Sequence, residues 1–160
     1  LDEKTPLPEM TTVDLKHICE DVCQRLQPQA EKAGVSINAH CAPLSVRGIP
    51  KMLEEIVQNL VDNAIKYNTS NGSVGVSLKE VDHRVELSVS DTGIGIPEEH
   101  VSRVFERFYR VDRSRNKQIG GTGLGLSIVK HSAEMMNATV QLQSKLGIGT
   151  TVTISFPAID

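Results

Sequence analysis

Glu54-Glu-Ile-Val-Gln-Asn59-Leu-Val-Asp-Asn63-Ala-Ile-Lys66-Tyr67 is the stretch whose reading decides the fold. Projected at about 100° per residue, Ile56, Val57, Leu60, Val61, Ala64 and Ile65 cover one broad arc, which predicts a helix that buries that face. Glu55, Asn59, Asn63 and Lys66 crowd into a narrow neighbouring arc. Asn is an unusual choice for a wet helix face, because its side chain competes for backbone hydrogen bonds. Amide oxygens are neutral ligands for a hard cation such as Mg²⁺, and an ammonium close by suits a phosphate. This edge therefore fits a metal-nucleotide, and it fits equally an amphipathic helix with an ordinary polar side; one motif does not separate the two.

Upstream, residues 1–12 hold two prolines without periodicity and read as a linker or extended arm. Apolar spacing at Leu15, Ile18, Val22, Leu26 and Ala30 predicts a helix over 13–32 that Gly34 stops, with Pro28 a candidate kink. Val35, Ile37, Ala39 and Cys41 alternate inward in a strand, residues 44–46 are its expected hairpin partner, and Pro50 opens the organising helix.

Downstream, residues 74–81 and 84–90 alternate with period two and read as a hairpin around Asp82-His83. The second strand runs into Asp91-Thr-Gly93-Ile-Gly95-Ile96-Pro97, where glycines permit a tight bend and Asp91 is placed to accept a hydrogen bond from an amino group. A plain strand-to-helix turn is the alternative there. Residues 98–105 are expected to be a short helix. The basic-aromatic segment 106–117 is either a mobile lid whose cations reach phosphate or a solvated loop. Next, Gly120-Gly121-Thr122-Gly123-Leu124-Gly125 feeds a helix with Leu124, Ile128 and Met135 as apolar residues; such a glycine-rich N-terminus offers free N–H groups to an anion. Asn137 is suited to close that helix, and residues 139–143 and 150–156 form a last hairpin. The class is α+β, a two-layer sandwich with a mixed, mostly antiparallel sheet and helices on one face.

The totals narrow the function. A chain of 160 residues suits one domain, and no apolar run approaches the roughly 20 residues that span a bilayer. A net charge of -3 with scattered cations argues against a nucleic-acid surface, as does the absence of Trp. Cys19, Cys23 and Cys41 are odd in number and read as reduced thiols in a cytosolic setting, with no signal peptide in view.

In order, the asparagine helix, Asp-x-Gly-x-Gly, aromatic-basic segment and Gly-x-Gly-x-Gly resemble the ATP-binding catalytic domain of bacterial sensor histidine kinases over about residues 10–157. Residues 59–67 look like the family's N box, 91–97 and 121–125 its glycine boxes, and 105–109 its F box. The resemblance implies that Asn63 ligates Mg²⁺ with Asn59 assisting, that Lys66 meets phosphate and that Tyr67 lies along the nucleotide. It places adenine at Asp91, Gly93, Gly95 and Ile96, the γ-phosphate at Arg110, and the phosphates within Gly121, Thr122, Gly123, Leu124 and Gly125, with 110–122 as lid. In the related hydrolysing ATPases a Glu that activates water stands where this chain has Asn59. Transfer to another acceptor is thereby implied rather than hydrolysis; Asn59, Lys66 and Arg110 are the expected catalytic set.

None of His17, His40, His83, His100 or His131 stands in the family's acceptor motif. The resemblance thus implies an upstream dimerisation and phosphoacceptor module joined through residues 1–12, with 13–160 as the ATP-binding domain. It also implies a response regulator as partner, and a cytoplasmic position without membrane contact in a membrane-anchored sensor. The segment 127–132 is similar to the phosphate-regulon sensor subgroup. The alternatives are a nucleotide-sensing module without transfer activity and a serine-kinase anti-sigma factor.

Overall fold

The computed structural model describes residues 9–106 and 125–159. Strand β1 (Thr11–Asp14) leads directly into helix α1 (Leu15–Ala33). The helix expected from residue 13 starts two residues later, because Asp14 is its N-cap: Oδ1 accepts from the His17 N–H at 3.1 Å. Asp14→Ala should cost about 1 kcal/mol of stability, read as a lower urea midpoint at unchanged slope. Pro28 does not end the helix; it sits on the exposed side and α1 continues to Gly34, whose φ of 72° closes it with Val35 N bonded to Ala30 O at 2.9 Å.

Strands β2 (Ser36–Cys41), β4 (Ser73–Val81), β5 (Arg84–Asp91), β6 (Thr139–Lys145) and β7 (Gly149–Pro157) form a five-stranded sheet in the order β2-β4-β5-β7-β6. Only β2 with β4 is parallel among these pairs. Strand β3 (Ser45–Gly48) does not pair with β2, as the sequence suggested, but with β1, setting buried Val46 opposite buried Val13. Ala39 is exposed rather than inward because β2 lies at the sheet edge, where only one neighbour and part of one face cover it. The β4–β5 hairpin turns at Asp82 and His83, both with positive φ (49° and 62°), the pair of left-handed residues a two-residue turn of this twist requires.

One sheet face is apolar and the other polar. Val74, Val76, Leu78, Val85, Leu87, Val89, Val152, Ile154 and Phe156 point into the core, while Ser88 meets Thr153 and Ser90 meets Thr151 through their hydroxyls on the far side. Helix α2 (Pro50–Lys66) covers the apolar face with Leu53, Ile56, Val57, Leu60, Val61, Ala64 and Ile65 all buried, as its arc foretold. Each such Leu, Ile or Val contributes roughly 1.5–3 kcal/mol by leaving water, which fixes the rotation of α2 and with it the direction of its asparagine edge.

Helix α3 (Glu98–Val101) is shorter than the expected 98–105; single turns from His100 to Glu106 follow it. Helix α4 (Gly125–Met135) buries Val129, Ser132 and Ala133, with Met136 beyond its end, and Ile128 faces outward. Asn137 closes it in the left-handed conformation (φ 62°), with Ala138 N on Ala133 O at 2.9 Å. Cys19 and Cys23 are buried and Cys41 half-buried, all as free thiols. Burial pushes the Cys23 thiol up to about 11, and a hydrogen bond with Cys41 together with burial raises that of Cys19.

Candidate nucleotide site

Helix α2 organises the site at both ends of its polar edge. Asn59 and Asn63 are half-buried and face the first turn of α4: a Cβ at Gly125 would stand 3.3 Å from Asn63 Nδ2 and 3.8 Å from both Asn63 Oδ1 and Asn59 Oδ1. Two neutral amide oxygens thus converge beside a helix N-terminus, a donor set that fits a hard cation accompanied by an anion. Among the described residues no group of three or more His, Cys, Asp or Glu could hold a metal.

At the C-terminal end, Tyr67 caps α2 and its carbonyl accepts from Ile94 N at 3.1 Å. The turn after β5 packs so closely on this end that a Cβ at Gly93 would collide with the Tyr67 carbonyl, and one at Gly95 (φ 73°) with the Lys145 carbonyl. These glycines are needed for backbone to approach backbone, a reason the sequence does not reveal. Asp91 is half-buried; its Oδ1 accepts from Gly93 N at 2.9 Å and Thr150 N at 3.2 Å, and Oδ2 has no donor among the described residues. Burial raises its carboxyl above the usual range, against the opposing pull of the two N–H donors. Ile96 is held by its N–H on Ser144 Oγ at 2.7 Å.

Lys66 does not point freely into the site. Its Nζ lies 3.0 Å from Asp62 Oδ2, one turn back on the same helix. Arg110, Gly121, Thr122, Gly123 and Leu124 lie outside the described residues. Three residues absent from the sequence reading belong to the surroundings. Ser144 and Thr150, whose side chains are 2.7 Å apart, stand in one row with Asp91 across β6, β7 and β5; Asp62 governs Lys66. Register, not a local motif, makes the row, and only the i,i+4 spacing of Asp62 and Lys66 was available as a signal.

The family described as "Histidine kinase-, DNA gyrase B-, and HSP90-like ATPase" matches residues 48–160. The sensor-like histidine kinase SenX3 of Mycolicibacterium smegmatis is 40% identical over 153 residues, which cover 94% of this chain and 40% of SenX3. The chain therefore spans well under half the length of that relative. A structure of the mycobacterial sensor histidine kinase MprB superposes with a TM-score of 0.81 at 28% identity, covering 93% of this chain and 97% of that one. Full-length ShkA in complex with AMPPNP gives a TM-score of 0.82 at 28% identity, covering 96% of this chain and 32% of that one.

Proposed function

Because the chain belongs to the histidine kinase-, DNA gyrase B- and HSP90-like ATPases, as an ATP-binding catalytic domain of the sensor histidine kinase type, we propose that it binds Mg-ATP and donates the γ-phosphoryl to a histidine on a separate helical module. That module in turn serves a response regulator, and the domain works on the cytoplasmic side of a membrane-anchored sensor. No described helix is long and apolar enough to cross a membrane. The observation that supports the reading most is the amide edge of α2 converging on the first turn of α4 while the Asp91 turn packs on the same helix's end.

In this reading Asn63 and Asn59 hold Mg²⁺ through their amide oxygens, and the ion, when bound, supplies neutralisation of phosphate charge. Adenine lies against Gly93, Gly95 and Ile96 with its amino group on Asp91 Oδ2; Tyr67 flanks the nucleotide. Lys66 and Arg110 take phosphate oxygens, and Gly121, Thr122, Gly123, Leu124 and Gly125 surround the chain of phosphates with backbone N–H groups. An acceptor imidazole nitrogen attacks the γ-phosphorus, the bond to the β,γ-bridging oxygen breaks, and ADP leaves. Asn59 has no basic lone pair to take a proton from water, so hydrolysis lacks a base at that position. The expected connection to the acceptor module, residues 1–12, is shortened to 1–10, because Thr11 and Thr12 pair with β3 as part of β1.

Incubation with γ-labelled ATP tests this. The chain alone is expected to bind Mg-ATP without becoming labelled, and a histidine-bearing module from the same parent, added preferably as a covalent fusion, should acquire acid-labile label. Rapid acid-stable labelling of the chain alone would overturn the reading in favour of a serine kinase.

A further inference from the structure

The proposed function gives no role to Asp62, which pairs with Lys66 on α2. Its two carboxylate oxygens are divided between two helices. Oδ2 pairs with Lys66 Nζ at 3.0 Å, and Oδ1 accepts from Gln29 Nε2 of α1 at 2.7 Å. Gln29 thereby fixes the carboxylate, and the carboxylate fixes the ammonium. The Asp62 and Lys66 side chains are 26% and 32% exposed, too shielded for the pair to be lost in bulk water and too open for it to be permanent. The direction matters: Asn59 and Asn63 face α4, whereas Asp62 is tied to α1.

We infer that Asp62 is a positioning residue that holds Lys66 on the α1 flank of α2, so that a nucleotide phosphate must take the ammonium from Asp62, and Asp62 thereby sets the affinity for phosphorylated nucleotide. This rests on the reading of Lys66 as a phosphate ligand. The exchange couples the first helix to the phosphate end of the site without any change of fold, since Gln29 is the only link required among the described contacts to Asp62.

The test is a double-mutant cycle on the whole chain: unchanged protein, Asp62→Asn, Lys66→Met and the double variant, titrated with Mg-ATP and with adenosine. Asp62→Asn should tighten Mg-ATP about two- to fivefold, the scale of an exposed ion pair, and leave adenosine, which has no phosphate, unchanged. In the Lys66→Met background the same substitution should have no effect on Mg-ATP. Equal tightening in both backgrounds overturns the inference, because simple removal of a negative charge then explains it. Unchanged or weaker Mg-ATP binding in Asp62→Asn overturns it as well. If Lys66→Met alone leaves Mg-ATP affinity intact, the assignment of Lys66 to phosphate is what fails, and that outcome is read from a different protein in the cycle.

Discussion

Asn63→Ala is expected to weaken Mg-ATP binding about a hundredfold or more, with the melting temperature within a few degrees of the unchanged protein. The first expectation follows from removing an amide oxygen that stands with that of Asn59 beside the first turn of α4. Loss even of an outer-shell partner of a metal costs 10- to 100-fold in many sites, so loss of a direct ligand should exceed it. The second follows from burial. Asn63 lies on the half-buried edge, the adjoining Ala64 and Ile65 supply the core contacts, and Ala is the better helix former. Calorimetric titration in Mg²⁺ and again in excess chelator checks the cause: the gap between variant and unchanged protein should close when the ion is removed. Asn63→Asp, which restores an oxygen ligand, should recover part of the affinity. Unchanged affinity of the Ala variant in Mg²⁺ would sink the metal-ligand role.

The organising helix was legible because its two arcs differ in kind. Six apolar positions from Ile56 to Ile65 demand a buried face, which Leu53 joins, and two asparagines where Glu or Lys would serve better mark the other. Both hairpins were legible for a similar reason: strict alternation around Asp82-His83 and around Gly147 leaves few other folds. What failed were decisions that depend on distant chain. The pairing of β3 with β1 joins two four-residue strands separated by a whole helix, and nothing within either strand names its partner. The buried face of α4 is not legible because Leu126, Ile128, Val129, Ala133 and Met135 offer more than one apolar stripe, and only packing against α2 and β6 selects Val129, Ala133 and Met136. At the site, the residue types were visible but not their fixings. Asp91 is held by Thr150 N, Ile96 by Ser144 and Lys66 by Asp62, and the first of these contacts arises from strand register.

Asp91→Asn should separate recognition from stability. In the folded chain, burial raises the Asp91 carboxyl above its ordinary value, although Gly93 and Thr150 donate to Oδ1. A group with a raised folded pKa contributes stability that is fully present below its unfolded pKa and is lost as pH rises through the folded one. At neutral pH the ionised carboxylate therefore stabilises the nucleotide-free fold less than its protonated form would. An Asn in its place accepts the same two N–H bonds without charge, so the variant should melt at the same temperature or higher at pH 7. That advantage should shrink as pH falls through the range in which Asp91 protonates. Binding moves the other way. The adenine amino group would meet an Nδ2 donor where Oδ2 had been an acceptor, and a lost bond to a charged partner corresponds to about a ten- to hundredfold loss of ATP affinity. GTP, which presents a carbonyl at that position of the base, should lose far less, so the preference for ATP narrows. Melting curves across acid and neutral pH, with titrations of both nucleotides, decide the matter. Equal losses for ATP and GTP accompanied by a lower melting temperature would make Asp91 a structural residue of the turn and nothing more.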